Sequence, residues 1–246
     1  MDAHRIVEHD GRRWSCQSAG EGRDCLLLLH DVVGDGGMWS EHMTALGETY
    51  RVAAPTIPAS VDSMEAAVEG LVAILRAEGM PSAHVFGHGQ GGLIAQALVR
   101  AHPELARSLI LSNSAAQATG YPGPAKLPWV LGRWAARRWA EAALRPDAGE
   151  LTEDRRAFWT GRLATLAAHC PAAIDAPRFG PIEEWKGRVL IFESDGDAFV
   201  PAAEAAALRE LYPGAILHRF EGAGHFAVFS RVESYVLRMH LFCGGR

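Results

Sequence analysis

Lysine is almost missing from this 246-residue chain: Lys126 and Lys186 stand alone, and arginine supplies nearly all of the 24 positive charges. Set against 29 acidic residues, this leaves a formal net charge of −5, which gives no electrostatic footprint for nucleic acid. No apolar run approaches the roughly 18–20 residues needed to cross a bilayer, so no membrane partner is expected. The opening stretch MDAHRIVEHDGRRW lacks the apolar core of a secretion signal, and a cytoplasmic protein is expected. Cys16, Cys25, Cys170 and Cys243 form no C-x-x-C pair, and reduced thiols are expected in that compartment. The eleven histidines show no H-E-x-x-H or comparable ligand spacing, so no dedicated metal site is expected. With 48% hydrophobic and 22% charged residues, the chain does have the means to build a sizeable globular core.

Short apolar runs alternate with helical patterns. Two strands flank Asp10-Gly11, a strong hairpin signal. CLLLLH (25–30) is continuously apolar, as a parallel strand buried on both faces must be. Further strands are expected at 50–55, 83–87, 108–112, 188–194 and 215–220. Helices are expected at Met38–Leu46, 63–79, 91–101, 202–211 and 231–242, with Gly79 a suitable stop for the second of them. This order argues for a doubly wound, mostly parallel α/β sheet of about eight strands. Residues 115–182 interrupt it with prolines, helical spacing and four of the seven tryptophans. They are expected to form a helical cap on a core made of 1–114 and 183–246.

The stretch AHVFGHGQGGLIAQAL (83–98) runs a strand through a glycine cluster into a helix. As G-x-G-x-x-G (Gly87, Gly89, Gly92) it matches a dinucleotide fingerprint. As G-x-S-x-G with the serine replaced, it matches a nucleophile elbow with Gly89 at the nucleophile position. The first reading is weak. At least two strands precede the loop, and the next strand, SLILSNS, ends without the acid that should hold a ribose. The second requires an acid after a late strand and a histidine after the last, and DGDAFVP and EGAGHFAVF stand in those places.

Over essentially its whole length the chain resembles the α/β-hydrolase superfamily, through LLLLHDVVGDGGMW, GHGQGG, DGDAFVP and GAGH. Within it, the chain looks like the small esterases and carbon–carbon bond hydrolases with a helical cap. The resemblance implies Asp197 as the acid, in preference to Asp195, and His225 as the base. It places an oxyanion hole at the N–H groups of Val32 and Gln90, with His30 orienting the loop. It implies a small-molecule substrate; no cofactor is expected, nicotinamide and flavin included, because the ribose acid is missing and an elbow turn leaves no phosphate cradle. His88, Asp31, Phe226, Trp129 and Trp134 are the candidates for substrate contact.

Two residues depart from the family pattern. Asp31 stands where glycine is usual, beside the oxyanion hole, and is expected to face solvent or a loop N–H. Gly89 offers neither hydroxyl nor thiol, so Ser–His–Asp acyl transfer cannot run as in the family. Three readings stay open at this point. His225, oriented by Asp197, acts as general base on substrate or water in non-covalent chemistry on an ester, lactone or 1,3-dicarbonyl. Alternatively, the chain is a serine hydrolase with an engineered Ser-to-Gly substitution at 89, or a non-catalytic protein that kept the pocket for binding.

Overall fold

The computed structural model describes residues 3–117, 132–145, 151–168, 174–182 and 185–244, with the backbone alone for 132–135 and 168. Eight strands form one sheet: β1 (Ala3–His9), β2 (Arg12–Ala19), β3 (Cys25–Leu29), β4 (Arg51–Thr56), β5 (Ala83–His88), β6 (Ala106–Ser112), β7 (Arg188–Ser194) and β8 (Ile216–Phe220). Their order is β1-β2-β4-β3-β5-β6-β7-β8. The β1–β2 and β2–β4 pairs are antiparallel and all others parallel. The first hairpin turns on Asp10 and Gly11, both at positive φ (49° and 68°), as a tight two-residue turn demands.

The central strands are apolar throughout because both faces are covered. Leu26, Leu28, Phe86, Ile110, Leu190 and Phe192 enter one core layer. Leu27, Leu29, Val85, Leu109, Leu111, Val189 and Ile191 enter the other. Helices α2 (Met64–Ala77) and α3 (Gln90–Ala101) serve the second layer, and α8 (Val232–Gly244) serves the first. Expected elements and observed ones agree closely, with one refinement at Met38–Leu46. There a short 3-10 turn, Gly36–Trp39, comes first, because Asp35 accepts a bond from the Gly37 N–H and starts the turn early. Helix α1 (Ser40–Leu46) then follows.

Between β6 and β7 the described residues hold two helices, α4 (Gly132–Ala143) and α5 (Glu153–Ala168), and no strand. Trp159 of α5 stacks on Phe229 at 3.8 Å with planes 9° apart. Arg155 donates to Glu41 and to the Phe229 carbonyl, and Arg162 pairs with Asp35. These contacts seat the helical insertion over the loops at the carboxyl ends of the strands, where open α/β sheets present their sites.

Candidate active site

The turn from β5 into α3 passes through Gly89 at φ 54°, ψ −122°. Residues with a side chain adopt such angles only at a cost, whereas glycine does so freely. Its N–H donates to the Ser112 carbonyl (3.0 Å) and its carbonyl accepts from Ser114 Oγ (2.8 Å), so the turn is held on both sides. The neighbouring glycines have a packing cause. A Cβ on Gly87 would lie 2.3 Å from the Gly91 carbonyl oxygen, and one on Gly91 would lie 2.4 Å from that of Leu29. A Cβ on Gly92 would meet Ser114 Oγ at 2.4 Å. The cluster that reads as a dinucleotide fingerprint is thus the contact between α3 and the sheet.

His225 and Asp197 meet as the resemblance implies. His225 Nδ1–H donates to Asp197 (2.9 Å to Oδ2, 3.1 Å to Oδ1). Asp197 Oδ1 also accepts the N–H groups of Phe199 (2.7 Å) and Val200 (3.0 Å). Its Oδ2 takes a bond from Asn113 Nδ2 (2.9 Å). Burial pushes the Asp197 carboxyl up, but the charge and hydrogen bond of His225, with Asn113 and the Val200 N–H, bring it down to about 2. Asp195 turns away and pairs with Arg219.

Asp31 faces neither solvent nor a loop N–H. It is 2% exposed, and its Oδ1 accepts the N–H of Gln90, the first residue of α3, at 2.8 Å. Its Oδ2 lies 3.2 Å from His225 Nε2. The N–H expected to receive an oxyanion therefore already holds a carboxylate, at the N-terminus of a twelve-residue helix that favours negative charge. His225 lies between two carboxylates. Burial pulls its pKa down, but Asp197 first and Asp31 next raise it to about 10. Burial likewise pushes Asp31 up, and the bond and charge of His225 outweigh it and hold Asp31 below the usual carboxylate range.

His88, the last residue of β5, is fully buried with its ring 4.8 Å from that of His225. Its Nδ1 faces Ser112 Oγ at 3.2 Å, and that hydroxyl meets Tyr235 OH at 2.8 Å. Val32 and Phe226 are buried, and the Phe226 ring packs edge-on to His225 at 5.0 Å. His30 bonds the Asp31 carbonyl and the Ile57 N–H, consistent with a loop-orienting part. Trp129 and the Trp134 side chain lie outside the described residues. The tryptophan seen beside the site is Trp139, edge-on to Phe199 at 5.7 Å and to Phe226 at 6.2 Å. Sequence reasoning missed Trp139, Phe199 and Asn113. Only Asn113 left a trace, as a polar residue ending β6. A cavity of about 240 Å³ opens behind the acid loop, lined by Asn113, Glu193, Asp197 and Arg209 but not by His225, Asp31 or Gln90.

Asp31, His88 and His225 each bring one ligand-capable atom to within 4.8 Å of the others. Histidine spacing gave no hint of this cluster, because its members come from three different strand ends.

The described residues contain no helix long and apolar enough to cross a membrane. Among curated proteins, a pimeloyl-[acyl-carrier protein] methyl ester esterase of Aromatoleum aromaticum is 26% identical, over 86% of this chain and 94% of its own length. A carbamate hydrolase described as putative, from Caulobacter segnis, is 32% identical over 37% of this chain and only 38% of its own length. In fold, the chain is similar to the meta-cleavage product hydrolase of Pseudomonas fluorescens IP01, with TM-score 0.77 and 19% identity over 98% of this chain and 97% of the other. The sequence profile described as the alpha/beta hydrolase family matches residues 26–236, most of the chain and every strand of the parallel sheet, and the chain belongs to that family.

Proposed function

We propose that this protein hydrolyses a small carbonyl compound (an ester, lactone or 1,3-dicarbonyl) with water, rather than a side chain, as the nucleophile. The observation that carries this is the Asp31 carboxylate set between the Gln90 N–H and His225 Nε2, directly over a glycine elbow. The esterase from Aromatoleum aromaticum and membership of the alpha/beta hydrolase family support the substrate class. The cap, taken as residues 115–182, would supply the substrate-facing wall, with Trp139 the clearest candidate within it.

The two carboxylates on His225 argue for a division of labour different from a histidine base. His225 carries a proton at neutral pH and is suited to act as the acid, while Asp31 is the unprotonated group beside it. For an ester, water oxygen attacks the carbonyl carbon and gives a proton to Asp31. The tetrahedral adduct then breaks its C–O bond, and the leaving oxygen takes the proton from His225 Nε2. Transfer of the proton from Asp31 to His225 restores the starting state, and the net reaction is ester plus water to acid plus alcohol. Asp197 fixes the imidazole throughout.

Asp31 also supports Gly89 as the native residue. A serine placed there would meet a histidine already paired with a carboxylate, and a Gln90 N–H already in use. The test is steady-state hydrolysis of p-nitrophenyl acetate and of a simple γ-lactone. Turnover without a burst is expected, and Asp31→Asn and His225→Gln should each lower kcat/KM by about 100-fold or more, the usual worth of a positioned acid or base. Unchanged turnover in either variant overturns the reading.

A further inference from the structure

Among the described residues, three buried histidines have an Nε2 without a hydrogen-bond partner: His42, His84 and His88. An orphaned ring nitrogen alone points to nothing, and His42 and His84 have no companions of the right kind. His88 differs. Together with His225 and Asp31 it forms the one His/Cys/Asp/Glu cluster of metal-binding dimensions among the described residues, and with Nδ1 engaged by Ser112 its Nε2 is the nitrogen left to bind.

We propose that Asp31, His88 and His225 form a binding site for a divalent first-row transition-metal ion of the zinc type, at the mouth of the glycine elbow. Two imidazoles and one carboxylate make the donor set that such ions take with positions left open for water or substrate. Donors about 2.0–2.1 Å from a tetrahedral ion are about 3.4 Å apart. The Asp31 Oδ2 to His225 Nε2 separation of 3.2 Å is already that edge. Even at the full 4.8 Å span of the cluster, about 1.4 Å of ring movement by His88 reaches that edge.

The supporting residues fit the same reading. Metal-bound imidazoles give their other ring N–H to a carboxylate, hydroxyl or carbonyl, which fixes the tautomer. His225 Nδ1–H donates to Asp197, and the tautomer of His88 that donates Nδ1–H to Ser112 Oγ turns the unshared pair of Nε2 toward the cluster. Ser112 is in turn held by Tyr235. The remaining Asp31 oxygen is held by the Gln90 N–H, as ligating carboxylates usually are. Burial and the neighbouring His225 keep His88 neutral, the form a ligand needs. The ion would take the place of the proton shared by Asp31 and His225. Gly89 adds no side chain to compete with a water or a substrate oxygen there.

The ion would occupy His225 Nε2 and Asp31, the groups that pass the proton in the ion-free route, so an ion-bound chain would hydrolyse by a different route; that the ion would activate the attacking water rests on the hydrolytic reading. Asp31, held below the usual carboxylate range, is a weak base by itself, and a bound cation lowers the pKa of water far more effectively.

The test is calorimetric titration of the untagged full chain, first freed of metal by chelation, with Zn2+. The same titration with Co2+ is followed by its visible absorption. One ion per chain at micromolar or tighter affinity is expected, with Co2+ bands of tetrahedral or five-coordinate intensity and no binding of Mg2+. His88→Phe should weaken Zn2+ binding by about 100-fold or more, beyond the usual effect of losing an outer-shell partner. His84→Phe, which removes a buried histidine outside the cluster, should leave it unchanged. If His88→Phe does not fold by circular dichroism, Asp31→Asn serves instead, with at least a tenfold loss expected. No ion bound at about 100 µM, well above a micromolar site, or equal affinity in the cluster variant and the wild type, overturns the proposal. Ion binding without hydrolysis would refute the hydrolytic reading alone, and hydrolysis by a chain that binds no ion would refute this one alone.

Discussion

At residue 89 the backbone angles are those a nucleophile elbow imposes, yet the residue is the one that needs no compensation for them. Gly89→Ser should therefore cost about 1–3 kcal/mol of stability, read from urea denaturation. That variant alone should not form an acyl-enzyme, because Asp31 still holds the Gln90 N–H and His225. The double variant Asp31→Gly with Gly89→Ser should gain covalent labelling by a serine-directed phosphonate, detected by intact-mass spectrometry. Labelling of the single variant to the same extent would show that Asp31 does not obstruct the hole. At this scale the sequence was legible where position along the fold decides a role. Asp197 and His225 follow the seventh and eighth strands, and the D-A-F-V-P frame set Asp197 ahead of its neighbour Asp195. Asp31 was only half legible. That a backbone N–H would take its carboxylate could be anticipated, but not that it belongs to the first turn of α3, nor that the other oxygen would reach His225, since both depend on how distant segments meet.

At the scale of elements, α3 sits against β5 and β3 with no side chain between the backbones at Gly87 and Gly91. This close approach aims the helix N-terminus at Asp31. Gly91→Ala should destabilise the protein by about 1–3 kcal/mol or more, since its Cβ meets backbone oxygens of β3 and the following loop that cannot rotate away. A denaturation midpoint equal to wild type would mean that α3 can slide without penalty. The central strands were legible because burial on both faces leaves them apolar at every position. The helical insertion was legible as helix but not in its contacts. Trp129, Trp134, Trp139 and Trp159 look alike in sequence, and only docking separates Trp159, stacked on Phe229, from Trp139, placed beside Phe199 and Phe226.

For the molecule as a whole, the buried histidines set the response to acid. Burial first, and then His88 and Arg155, hold His42 down at about 3. Burial, with Arg107 and Arg188 nearby, holds His84 at about 4. Both are depressed from 6.5, so between that value and their folded values the unfolded chain binds more protons. Stability is fully present above about pH 6.5 and is lost as the pH falls toward 4, with His42 contributing at most about 1.4 kcal/mol per pH unit. His42→Phe removes two buried nitrogens without partners and should flatten this slope while preserving stability at pH 7. Thermal melts of both proteins from pH 4 to 7 check it, and parallel curves would refute it. None of this could be read from the sequence, where all eleven histidines carry the same ordinary value.

The position of the insertion also sets the order in which the chain can assemble. Strands β3 to β6 (residues 25–112) leave the ribosome carrying Asp31, His88 and Gly89, and they pair among themselves through short crossovers. The partner strand β7 begins only at Arg188, after the whole insertion has been made. Closing so long a loop costs about 2 kcal/mol more than closing one of five residues. During synthesis there is thus an interval in which β6 is an open sheet edge and the carboxylate of Asp31 lacks His225 beside it. A nascent chain at that stage is the form most exposed to wrong strand partners, and its rescue depends on the last quarter of the sequence arriving.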